Sequence, residues 1–195
     1  RPWRSVLAAA LASGAGWLSL TGGEPTWRGP AELRSLAALC RAARKQGLRI
    51  KIESNGLRLP PELDGLVDLW SVAPKFDSKV GSQTAAMHYD SRVLRRLLRL
   101  QGPSGMQLKF VICYDKAQPR LNDLSQAESL LKTLPLAVKR CPIFFIPEAY
   151  ASGDYLERCR NLEAALSQRA KKLKGFDLRV QPQWHRVLYG DARGY

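Results

Sequence analysis

The residues best placed to do chemistry are Thr21-Gly22-Gly23-Glu24-Pro25. Adjacent glycines directly after an apolar strand let the backbone approach a ligand closely and turn N–H groups toward it. Glu24 sets one fixed negative charge beside those donors. The combination suits a ligand with both a carboxylate and an ammonium, as the end of an amino acid has: backbone donors hold the first and the side-chain acceptor the second. On local chemistry a plain tight turn is an equal reading. A second polar group follows the last apolar strand, where Gln181, Gln183 and His185 stand close together. His185 is one of two histidines, and beside two amides in a polar loop it reads as a binding residue. His88 lies before a helix without such company and reads as surface.

Cys40, Cys113, Cys141 and Cys159 are too far apart in sequence for the two-to-four-residue gaps of zinc or cluster ligands. Cys40 continues the spacing Leu33, Leu36, Ala43, and Cys159 that of Leu162, Leu166, Leu173, so both read as small hydrophobes on helix stripes.

Apolar periodicity predicts the elements that position these groups. Helices are expected over Pro2–Ser13, Ala31–Gln46, Ser91–Leu100, Ser125–Leu134 and Tyr155–Leu173. Strands are expected over Trp17–Leu20, Leu48–Ile52, Asp68–Val72, Gln107–Cys113, Ile143–Ile146 and Asp177–Val180, with a short turn at Pro60–Asp64. Alternating helices and strands imply an α/β fold around a mostly parallel sheet. The run Phe110-Val111-Ile112-Cys113 suggests strands buried on both faces. In such sheets ligands bind beyond the carboxyl ends of the strands, which places Thr21–Arg28, Glu53–Gly56, Ala73–Ser78, Tyr114–Pro119, Pro147–Gly153 and Gln181–Tyr195 around one site.

Thr21-Gly22-Gly23-Glu24-Pro25 resembles the motif by which radical S-adenosylmethionine enzymes hold the methionine amino group. Glu53-Ser54-Asn55-Gly56 is similar to the Glu-Thr-Asn-Gly that ends the next strand in one family of them, the 7-carboxy-7-deazaguanine synthases. Asp68-Leu69-Trp70-Ser71-Val72-Ala73-Pro74-Lys75 resembles that family's Asp-Trp-aliphatic-Thr-Val-Ser-Pro-Lys segment, and Lys109-Phe110-Val111 its Leu-Lys-Phe-Val strand. Val180 to His185, followed by Gly190-Asp191-Ala192-Arg193-Gly194, resembles its tail, where a Gln and a His close over the pterin. Ala73 departs from the pattern, standing where the family has a Ser. Ser71, two residues back on the same strand face, is the candidate replacement.

The resemblance implies a partial (βα) barrel and a radical ring contraction of 6-carboxy-5,6,7,8-tetrahydropterin. It implies Thr21, Gly22, Gly23, Glu24, Ser54, Asn55, Ser71 and Lys75 as cofactor-binding residues, and Glu53, Gln181, Gln183 and His185 as substrate-binding ones. The implied cofactors are S-adenosylmethionine, a four-iron four-sulfur cluster and magnesium; the implied partners are the pterin, a reducing flavodoxin or ferredoxin, and a second copy of the chain as a homodimer. The family's closely spaced cysteines do not occur in the sequence, so the expectation is one domain over 1–195, beginning part way through a longer protein and inactive without the cluster segment.

With 195 residues, 45% apolar, the chain has the size of one domain with a sizeable core. Its net charge of +14 attracts anionic partners at long range. Arg92, Arg95, Arg96 and Arg99 form a helical stripe, which motivates nucleic-acid binding as an alternative, but a solvated helix face explains them without a ligand. Another radical S-adenosylmethionine enzyme is the other rival, as is a non-catalytic paralogue binding RNA or a pterin. The uncharged stretch Ser5–Leu20 is too short to span a membrane and runs directly into a strand, so no secretory leader is read there. Cysteine usage points to a reduced, cytoplasmic protein.

Overall fold

The computed structural model describes residues 3–76, 89–113, 123–148 and 154–189, with only the backbone at 185, 186 and 189. Helix α1 (Trp3–Ala12) precedes strand β1 (Trp17–Leu20), and helix α2 (Pro30–Lys45) leads to β2 (Arg49–Ser54). Local signals start and stop α2: Pro30 opens its first turn, Glu32 accepts the Gly29 N–H at 2.9 Å, and Arg44 and Lys45 meet its negative end. Strand β3 (Leu69–Val72), helix α3 (Ser91–Gln101) and strand β4 (Met106–Ile112) follow. Asp90 caps α3 by accepting the Arg92 N–H at 2.8 Å. The chain continues through α4 (Asp123–Thr133), β5 (Pro142–Pro147), α5 (Tyr155–Arg169), β6 (Asp177–Val180) and α6 (Trp184–Tyr189).

All six strands are parallel and lie in chain order, β1-β2-β3-β4-β5-β6. A doubly wound sheet would reverse order at a switch point; here none occurs. Crossovers of the usual right hand then place every connecting helix on the same face, as in part of a βα barrel. The hydrophobic core agrees, because one cluster joins Leu39 and Cys40 of α2, Leu94 and Leu97 of α3, and Leu162 of α5 to alternate strand residues.

That arrangement corrects the expectation of strands buried on both faces for β2, β4 and β5, while β3 keeps Trp70, Ser71 and Val72 all buried. Burial alternates along β4, with Met106, Leu108, Phe110 and Ile112 buried and Gln107, Lys109 and Val111 only half-buried. In β2, Ile50, Ile52 and Ser54 are buried while Lys51 and Glu53 are half-buried. The physical reason is one-sided helix cover: a strand needs apolar residues only where helices pack. The other face, called inner here, carries the polar positions. Phe110 stacks on Phe145 with ring centroids 5.3 Å apart on the helical face, whereas Val111 points the opposite way.

Most element ends differ from expectation by one or two residues, and three differences bear on the site or its frame. Strand β2 runs two residues further than expected, because Glu53 pairs with Ser71 and Ser54 with Val72, so both leave the loop for the sheet. Helix α5 ends at Arg169 rather than Leu173. Helix α6 replaces what was read as loop; Trp184, Val187 and Leu188 at i, i+3 and i+4 are its signal in the sequence.

Candidate functional site

The glycine turn after β1 is built as its composition requires. Gly22 and Gly23 have φ of 94° and 58°, a backbone region that other residues enter at a cost. Glu24 then turns back into the protein. Its Oε1 accepts the Thr26 N–H at 3.1 Å and the Thr26 hydroxyl at 2.6 Å, and its Oε2 accepts the Asn55 N–H at 2.7 Å. Because the Thr26 proton goes to Glu24, the 3.5 Å approach of Ser54 to Thr26 has Ser54 as donor, at the weak limit of hydrogen bonding. Ser54 Oγ in turn accepts the Gly56 N–H at 3.1 Å, and Asn55 Oδ1 accepts the Leu57 N–H at 3.0 Å.

The structure thus ties Thr21–Thr26 to Ser54–Gly56. A carboxylate offers about four acceptor directions; three are used here, so Glu24 retains one for a ligand N–H. Ser54 and Thr26 are buried and serve the frame. A cleft of about 290 Å³ opens beside Thr21 and Gly22, toward α1 and α2, with Arg28 and Glu32 at its edge and Trp3 and Leu36 in its wall.

Strands β2, β3 and β4 supply the inner floor. Glu53 Oε1 accepts from Lys51 Nζ at 2.8 Å and from Lys109 Nζ at 2.9 Å, with all three side chains 22–32% exposed. Partial burial pushes the Glu53 carboxyl up, but the two lysines outweigh it and hold the group below its ordinary range. Ser71 is fully buried and accepts from Gln107 Nε2 at 2.8 Å. It faces the same side as Glu53, but shows no exposed surface. Lys75 is exposed just beyond β3.

Gln181 and Gln183 lie at the far edge of the sheet. The Gln181 N–H donates to Phe145 O at 3.0 Å. The Gln183 N–H donates to the Tyr155 hydroxyl at 2.6 Å, and its Nε2 to Pro147 O at 3.2 Å. These bonds fasten the segment after β6 over the end of β5. His185 falls on α6, its side chain outside the described residues, as do His88, the segment 77–88 and the motif Gly190 to Gly194. From β2 to β6 is four strand spacings, about 19 Å along the sheet, so the two groups of residues flank one face rather than touch. Nearby, Arg158 Nη1 donates to Glu148 O at 2.9 Å, while its Nε and Nη2 are buried without a hydrogen-bond partner among the described residues.

Lys51, Gln107 and Lys109 were not singled out as site residues from sequence. Their signal was period-two polarity within otherwise apolar strands. The arginine stripe is exposed, and three of its four side chains meet partners on the surface: Arg92 pairs with Asp90 at 2.9 Å, Arg95 donates to Thr133 O at 2.9 Å, and Arg96 approaches Asp64 at 3.8 Å.

The residues present fit S-adenosylmethionine at the glycine turn, where Glu24 keeps one acceptor direction beside the Gly22-Gly23 backbone. They do not fit an iron-sulfur cluster: Cys40 and Cys141 are core thiols that burial pushes up to about 11, and Cys113 follows β4 while Cys159 lies on α5. Among the described residues no three His, Cys, Asp or Glu side chains gather to hold a metal ion. No helix among them is long and apolar enough to cross a membrane.

No protein family model matches the chain. Over 193 residues it is 29% identical to the 7-carboxy-7-deazaguanine synthase of Pyrobaculum aerophilum, covering 97% of this chain and 72% of that protein. The chain is similar to 7-carboxy-7-deazaguanine synthase. Likeness to the synthase along nearly the whole chain takes in both the glycine turn and the segment after β6, as the motifs implied. Among solved structures, Streptococcus suis SuiB superposes with a TM-score of 0.59 at 15% identity, over 93% of this chain and 42% of that one. The chain spans less than half of SuiB, and that likeness concerns the fold, a partial βα barrel with a parallel sheet.

Proposed function

We propose that the chain is the ligand-binding body of a radical S-adenosylmethionine enzyme that forms 7-carboxy-7-deazaguanine from 6-carboxy-5,6,7,8-tetrahydropterin. The observation that carries the reading is the bond from the Asn55 N–H to Glu24 Oε2 at 2.7 Å. It unites two motif loops, separate in sequence, into one cradle for an amino-acid end group. Similarity to the synthase supplies the substrate class.

In this reading Gly22 and Gly23 present N–H groups to the methionine carboxylate, and Glu24 accepts from its ammonium. Thr26 and the Asn55 N–H hold Glu24 in place, with Ser54 behind Thr26. The polar inner face and the segment Gln181–His185 receive the pterin, and Lys75 binds at the rim. S-adenosylmethionine, once bound, supplies the deoxyadenosyl group for hydrogen abstraction in such enzymes. The cluster, magnesium and an electron donor such as flavodoxin or ferredoxin belong to the same reading, but this chain's cysteines do not fit the cluster, and the roles assigned to it are binding and orientation.

Calorimetric titration of the chain with S-adenosylmethionine tests this. Charge-assisted bonds are worth roughly 1.5–3 kcal/mol, so Glu24→Ala should weaken binding about tenfold or more. Unchanged affinity in that variant would sink the assignment. RNA binding is the weaker alternative, since three of the four arginines that motivated it have partners within the fold.

A further inference from the structure

We propose that Lys51 and Lys109 form a seat for a ligand carboxylate on the inner face of the sheet, with Glu53 as the counter-ion that positions them. The inference rests on the function proposed above for the ligand's identity, though its geometry does not. Both ammonium groups reach the same Glu53 oxygen, at 2.8 and 2.9 Å. One carboxylate therefore holds two like charges side by side, and the trio carries one uncompensated positive charge.

A structural ion pair would need only one lysine. The second raises repulsion that a further anion relieves. Each ammonium has three donors, and one on each is spent on Glu53, leaving four N–H groups for a ligand. All three side chains keep a fifth to a third of their surface exposed, so a solute can reach them.

The neighbouring polar groups on the floor have contacts of their own. The Gln107 amide is committed to Ser71. On β6, Arg179 is matched by Asp177 at 2.7 Å. Arg49 lies four residues before Glu53 on β2, about 13 Å away, stacked on Trp17 at 4.1 Å. A planar carboxylate, with two oxygens for two ammonium groups, is the ligand that fits. Both the pterin acid and the methionine end of S-adenosylmethionine carry one.

Wild-type chain and the variants Lys51→Met, Lys109→Met and Lys109→Arg would be titrated with 6-carboxypterin, with pterin lacking the carboxylate, and with S-adenosylmethionine. Each methionine variant should weaken 6-carboxypterin at least tenfold and leave pterin unchanged, while Lys109→Arg restores most of the loss. The same selective loss for S-adenosylmethionine would support the seat and assign it to the methionine carboxylate. Equal weakening of pterin and 6-carboxypterin overturns the seat, because the lysines then only shape the floor. Wild-type chain that binds S-adenosylmethionine and both pterins, with no preference for the carboxylate and no effect of the variants, overturns the seat but leaves the function standing. Binding of none of the three overturns both. Should either methionine variant fail to fold, the wild-type comparison of 6-carboxypterin with pterin still decides, because no preference for the carboxylate overturns the seat.

Discussion

Asn55 donates its backbone N–H to Glu24 Oε2 at 2.7 Å, although 31 positions separate them. The donor is main chain, so only the Glu24 half of the contact can be removed by substitution. Glu24→Ala deletes the acceptor for three donors at once, two of them backbone. Asn55→Ala keeps the contact and loses only the local turn to the Leu57 N–H.

Urea denaturation should therefore separate the two. Glu24→Ala is expected to cost about 2–3 kcal/mol and Asn55→Ala about 1 kcal/mol. Equal costs would show that Asn55 contributes through its side chain and not through the Glu24 bond.

Gly56 and Gly22 offer a second contrast. Gly56 has φ 81°, and a methyl group there would meet Val72 Cγ1 at 2.8 Å and Leu94 Cδ2 at 3.0 Å. Gly22 has φ 94° but nothing within 4 Å. Gly56→Ala should destabilise by about 3 kcal/mol, through both clash and backbone strain, and Gly22→Ala by about 1 kcal/mol through strain alone. Chemical denaturation of the two variants checks the order.

The Glu53 carboxyl is held low by Lys51 and Lys109 against the opposing effect of its partial burial. A depressed carboxyl contributes stability that is present above its unfolded value of about 4.3 and lost as pH falls through the lower folded value. Glu53→Gln should thus be less stable than wild type at pH 7 by under about 1 kcal/mol, the group being a third exposed. The difference should shrink as pH falls below the ordinary glutamate range and vanish once Glu53 is protonated in both states. A gap in urea midpoint that persists at low pH would mean that Glu53 acts through packing and not charge.

Arg158 bonds Glu148 O through Nη1 but buries Nε and Nη2 without acceptors among the described residues. A buried donor left unpaired costs more than it returns. Arg158→Met is expected to raise thermal stability by about 1 kcal/mol, read as an increase in Tm; a fall in Tm would show that the one bond to Glu148 outweighs the two unpaired nitrogens.

The element order was legible because each helix and strand carries its own period, and β6 came out residue for residue. The failures have a common origin in tertiary pairing. Nothing local says that Glu53 and Ser54 extend β2; their partners Ser71 and Val72 do. Phe110-Val111-Ile112 looked uniformly apolar, yet the absence of a switch point, a property of the whole sheet, left Val111 on the less covered side. The glycine turn and Asn55 were readable as motifs, whereas the lysine pair on Glu53 was not, since it joins residues on strands that are neighbours only through β3.

Placing the connecting helices on one face has a consequence for how such a protein can change over generations. Exchanges at Lys51, Gln107 or Lys109 alter what the sheet presents to solutes without opening holes among Ile52, Trp70 and Leu108, which look the other way. Ligand preference and folding are inherited on interleaved but separate sets of positions, so one can drift while the other stays fixed.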